Sequence, residues 1–87
     1  MQILYYLSVY CTVELYTKND NFDTAYGLTS NTIISLEQDS ATSPYMIMIF
    51  KSLYAKVLKI KKELDQAEIC YNQALQIANT YNIKINK

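Results

Sequence analysis

Histidine, tryptophan and arginine are absent from these 87 residues, and the missing His and Arg each close a class of chemistry. Without His there is no His-based catalytic triad and no imidazole metal site. Without Arg there is no bidentate clamp on phosphate and only a poor reader of DNA base edges. A single glycine, Gly27, and a single proline, Pro44, are too few for the many turns of a β-sandwich or barrel. What is left is helix. Two cysteines, Cys11 and Cys70, stand far apart with no CxxC spacing, which excludes a zinc knuckle and a dithiol redox motif. Each sits in an apolar helical pattern and is expected to be buried and reduced, in keeping with a cytoplasmic protein. No apolar run approaches the ~18 residues that span a bilayer. The apolar start, Met1 to Leu7, has neither the basic leader nor the small-residue cleavage site of a signal peptide.

The chain does contain enough apolar side chains, 51%, to build one small core and to argue against global disorder. A domain of this length buries roughly two-thirds of the surface it exposes when unfolded, so it is marginal alone. The net charge is zero, which gives no overall pull toward nucleic acid or anionic lipid. The charges are nevertheless segregated. Up to Tyr45 one lysine faces five acids, net −4; from Met46 onward seven lysines face three acids, net +4. The two halves read either as complementary surfaces, within one chain or between copies, or as ordinary solvated faces.

Periodicity and punctuation divide the chain into four helices. The first, over residues 2–17, carries Ile3, Leu4, Leu7, Cys11 and Leu15 as its expected apolar face. Lys18-Asn19-Asp20-Asn21 ends it, and Asp20 or Asn21 is placed to cap the second helix, with Asp23 in its first turn. That helix presents Phe22, Ala25, Thr29, Ile33 and Leu36 on one side. After a polar connector, Ser43-Pro44 gives the sharpest local signal: Ser at the N-cap and Pro at the first helical position. The third helix then shows Ile47, Phe50, Tyr54, Val57 and Leu58, and runs to about residue 61. The corner Lys61-Lys62-Glu63 leads to a fourth helix striped by Leu64, Ala67, Tyr71, Ala74, Leu75 and Ala78. The tail, 82–87, is expected to fray.

Phe22-Asp23-Thr24-Ala25 and Leu64-Asp65-Gln66-Ala67 follow the two short corners at an offset of 42 residues. The same offset pairs Cys11 with Leu53, Tyr16 with Leu58, Thr29 with Tyr71, Thr32 with Ala74, and Ile33 with Leu75. Self-similarity at such a period marks stacked helical hairpins. Repeat one covers about residues 2–38, the connector 39–43, and repeat two about 44–82, within a single all-α domain. Two repeats leave apolar end faces uncovered, which calls for self-association or further repeats. Ile69 and Ile77, off the main stripe, suggest a second sticky face of this kind.

These residues resemble the tetratricopeptide repeat. Tyr54-Ala55 matches the large-then-small pair of that motif's first helix, and Ala67, Tyr71, Ala74 and Leu75 match its second. The first unit departs from the pattern at Val13, Thr29 and Thr32, and Gly27 is expected to restore close approach there. The lengthened unit and the Ala74-to-Ala78 segment also resemble, more faintly, the repeat domains of the peptide-sensing Rgg/PlcR/Rap regulators of Gram-positive bacteria. The resemblance implies two antiparallel αα-hairpins stacked as a short solenoid, whose first helices line a concave groove. It places Leu7, Tyr10, Glu14 and Thr17 of unit one, and Ile49, Ser52, Lys56 and Lys59 of unit two, in that groove. The implied partner is a protein or a short peptide, with no catalysis, cofactor, metal, nucleic acid or membrane. The finer resemblance would make this the peptide-sensing part of a transcriptional regulator.

Three other features have double readings. The carboxylates Glu14, Asp20, Asp23 and Glu63 sit at helix ends and corners, where capping explains them better than acid–base catalysis. Lys56, Lys59 and Lys62, with Lys51 earlier, form either a basic stripe for a carboxylate-ended ligand or a solvated helix face. The nine tyrosines place Tyr54 and Tyr71 at core positions; Tyr5, Tyr10, Tyr26 and Tyr45 fit either a partner surface or half-buried packing.

Overall fold

The structure is a computed structural model and describes residues 3–82. Those residues form four helices and no strand: α1 (Ile3–Lys18), α2 (Phe22–Gln38), α3 (Pro44–Ile60) and α4 (Leu64–Thr80). The expected start at Gln2 and the tail at 83–87 lie outside the described residues. Ser43 caps α3 as the sequence implies: its hydroxyl accepts from the Tyr45 N–H at 3.2 Å, with Pro44 in the first turn. At α2 the N-cap is Asn21, but its side chain caps no backbone group; it accepts the Thr24 hydroxyl instead.

The 42-residue offset carries the bounds of α2 onto those of α4, and it carries one corner onto the other. Asn21 N–H donates to the Tyr16 carbonyl, and Glu63 N–H to the Leu58 carbonyl. Asp20 and Lys62, one residue earlier in each corner, both take left-handed backbone, φ 62° and 65°. This is the six-to-one closure that ends a helix through a left-handed residue. Lys at such a position costs roughly 1 kcal/mol that Gly would not, whereas Asp tolerates it better.

The packing is an open array. α1 lies on α2, α2 on α3, and α3 on α4, with a lesser contact of α1 on α3; α4 touches only α3. The main core joins Val9 and Val13 of α1, Ala25, Ile33 and Leu36 of α2, and Met46, Phe50, Leu53 and Val57 of α3. A smaller cluster joins Met48 of α3 to Ala74 and Ala78 of α4. α3 is therefore covered on two sides, which explains buried positions spread around most of its circumference. Two buried threonines on α2 need no outside partner. Thr29 donates to the Ala25 carbonyl at 2.6 Å and Thr32 to the Leu28 carbonyl at 2.7 Å.

The segregated charge is spent partly inside the chain. Lys61 pairs with Asp23 and lies 5.4 Å from the centroid of the Tyr26 ring. Lys51 reaches Glu37 of α2 at 3.7 Å and Gln73 of α4 at 2.8 Å, so one side chain ties both flanks of α3. The pair with Lys61 holds the Asp23 carboxyl below, and the Lys61 ammonium above, their ordinary ranges.

Five expectations are corrected. The face of α1 formed by Ile3, Leu4, Leu7, Cys11 and Leu15 is exposed, Leu4 at 83%, while the burial falls on Val9 and Val13. Both faces of α1 are apolar, and the array covers only one. Cys11 is thus exposed rather than buried, and Cys70 is half-buried; burial raises the Cys70 thiol pKa. Tyr71 is not core but 46% exposed, because α4 has a neighbour on one side only. Ile77 packs on the small cluster, whereas Ile69 is exposed. Gly27 allows no close approach, since a Cβ there would meet nothing within 4 Å and the glycine has no positive φ. Gly27→Ala is accordingly expected to raise the unfolding free energy by about 1 kcal/mol, through helix propensity and a less flexible unfolded chain. A higher urea midpoint at unchanged slope would check it.

Candidate functional site

The residues assigned to a groove fall on two helices, α1 and α3, that meet through aromatic contacts. On α1, Leu7, Tyr10, Glu14 and Thr17 recur at spacings of 3, 4 and 3, one helical face. On α3, Ile49, Ser52, Lys56 and Lys59 do the same. Tyr10 and Tyr6 set their edges on Phe50 at 5.8 and 6.3 Å between ring centroids, which fixes the α1–α3 junction.

The eight positions are not equivalent. Tyr10 is half-buried, and burial raises its phenol pKa, reinforced by the charges of Glu14 and Tyr45. Ile49 is half-buried and packs against both core clusters. Thr17 is satisfied by its own helix, donating to the Val13 carbonyl at 2.8 Å. Ser52 and Glu14 are half-buried. Lys56 and Lys59 point into solvent, and among the described residues neither lies within ion-pair distance of an acid. Leu7 is exposed and belongs equally to the outer face of α1.

Tyrosine content gave no hint of one further arrangement. Tyr54 stacks at a tilt on Tyr26, 5.4 Å between centroids, at the α2–α3 seam. Burial pushes the Tyr54 phenol up to about 12, helped by the Tyr26 hydroxyl, so it stays neutral at physiological pH. Tyr45, by contrast, is exposed. The described residues contain no cluster of three or more metal-ligating side chains. None of their helices is long and apolar enough to cross a membrane.

No protein-family model, no curated protein and no solved structure matches this chain.

Proposed function

We propose that the chain is a non-catalytic helical-repeat module, two αα-hairpins stacked in tetratricopeptide-like fashion, that binds an extended peptide or protein segment along α1 and α3. The recurrence of one corner geometry at an offset of 42 residues, with each helix packed on its chain neighbour, supports the stacking. The observation that carries the binding reading is the composition of the α3 face. An apolar floor at Ile49 gives way to a hydroxyl at Ser52 and then to two ammonium groups, Lys56 and Lys59, free of ion pairs within the described residues. A floor of this kind takes a side chain, and the ammoniums take a carboxylate, from an acidic residue or a peptide C-terminus. The resemblance to peptide-sensing regulators invokes the same groove and the same class of ligand.

Selection of a random peptide library against the immobilised protein tests this. Enrichment of sequences bearing acidic residues or a free C-terminal carboxylate is expected. Lys56→Glu with Lys59→Glu should weaken the selected peptides by about tenfold or more, equivalent to 1.4 kcal/mol, with the helical circular dichroism unchanged. Absence of enrichment, or equal binding by the variant, would refute it.

A further inference from the structure

We infer that the apolar outer face of α1 is the docking site for α4 of a second copy of this chain, so that copies associate head to tail. The inference rests on the two-hairpin reading above but not on the groove.

The 42-residue offset supplies the argument. It carries Leu4, Cys11 and Leu15 of α1 onto Met46, Leu53 and Val57 of α3. Those three α3 residues are buried in the main core, against α1 and α2, the hairpin that precedes α3. The three α1 residues are exposed, with no helix packed on them among the described residues. The other end mirrors this. Ala67, Ala74 and Ala78 of α4 stand at the positions of Ala25, Thr32 and Leu36 of α2, and all six are buried. Leu64, Tyr71 and Leu75 stand at the positions of Phe22, Thr29 and Ile33; of the α2 three, Thr29 and Ile33 are buried and Phe22 is half-buried, whereas Leu64 and Tyr71 are exposed and Leu75 is half-buried. One end therefore lacks what the other offers. Ser8 takes the place of Phe50, which makes the α1 face shallower than its counterpart.

Charge points to the same pairing and the same direction. Within the chain, Lys61 at the end of α3 is received by Asp23 and Tyr26 of α2. The offset places Asp65 and Glu68 of α4 at those two receiving positions, and α4 carries no basic residue. The outer stripe of α1 ends at Lys18, one residue before the position equivalent to Lys61. Stacking α4 on α1 of the next copy in the α2–α3 manner thus brings Lys18 to two acids. A standard contact takes about 800 Å² from each partner. That is the size of one flank of a body measuring 33 × 27 × 23 Å.

Two exposed-face variants and sedimentation equilibrium at about 100 μM, where a low-micromolar Kd would show clearly, test the inference. Leu4→Glu with Leu15→Glu blocks the α1 face; Leu64→Lys with Tyr71→Lys blocks the α4 face. The parent protein is expected to sediment above its 10.1 kDa. Each variant alone should remain at monomer mass, and their equimolar mixture should form a one-to-one heterodimer, since each keeps one complementary face. A monomeric parent overturns the inference. So does association by the α4-blocked variant alone, which would mean α1 pairing with its own copy. Alkylation of Cys11 in the unmodified protein gives a readout that needs no variant: it should slow about fivefold between roughly 1 and 100 μM. Unchanged alkylation refutes the docking. Peptide selection through Lys56 and Lys59 uses other residues, so either result can stand without the other.

Discussion

Phe50→Ala is expected to lower the unfolding free energy by about 3–5 kcal/mol, the range for emptying a fully buried aromatic site. Phe50 is completely buried, and it meets Tyr6 and Tyr10 edge-on across the α1–α3 junction. The loss has three parts: the transfer of the ring from water, the cavity left behind, and two aromatic pairs worth roughly 0.5–1.5 kcal/mol each. A chain of this length has a total of roughly 4–13 kcal/mol at typical stability per residue. The variant should therefore lose a large share of its stability, with a urea midpoint far below that of the parent. Leu4→Ala is the control: with that side chain 83% exposed, a change within about 0.5 kcal/mol is expected at micromolar concentration or below. Equal losses at the two sites would mean that α1 presents its other face to the core.

Ala74→Leu should act by the opposite mechanism and on one helix. Every fully buried residue of α4 is an alanine: Ala67, Ala74 and Ala78. Methyl groups set how closely α4 lies on α3, and Met48 of α3 packs in one buried cluster with Ala74 and Ala78. An isobutyl group at position 74 has no space to enter, and overpacking of this kind costs about 1–3 kcal/mol. Because α4 touches no helix except α3, the array has a cheap response, which is to let α4 go. Hydrogen exchange is then expected to accelerate across α4 while α1 to α3 keep their protection, with a smaller urea slope as less surface unfolds cooperatively. Uniform acceleration in all four helices, or none, would argue against this close helix approach.

How far the fold was legible depended on the reach of each signal. The bounds of α2 and α3, the Ser43 cap and the face of α2 were readable because they rest on residues within one or two turns of each other. The corners were readable too, since the competing side chains at 18–21 and 61–63 act locally. The face of α1 was not. Ile3, Leu4, Leu7, Cys11 and Leu15 make the more apolar stripe, yet Val9 and Val13 are the buried pair. Tyr71 was misplaced for the same reason, and Gly27 because a mid-helix glycine says nothing about whether a neighbour approaches it. For the eight assigned residues, the helical spacing was legible. The aromatic junction at Phe50, the Tyr26–Tyr54 seam and the service of Lys51 to two flanks were not, since each joins residues from different helices.

By itself, then, the amino-acid order determined four helices, the corners that separate them, and matching corners at an offset of 42 residues, all through short-range periodicity, capping and backbone preference. Only the tertiary structure decided which apolar stripes are covered and which lysines are spent on ion pairs. An apolar stripe is a capacity for burial; whether it is used depends on a neighbouring surface, and α1 and α4, at the ends of the array, each have an unoccupied side.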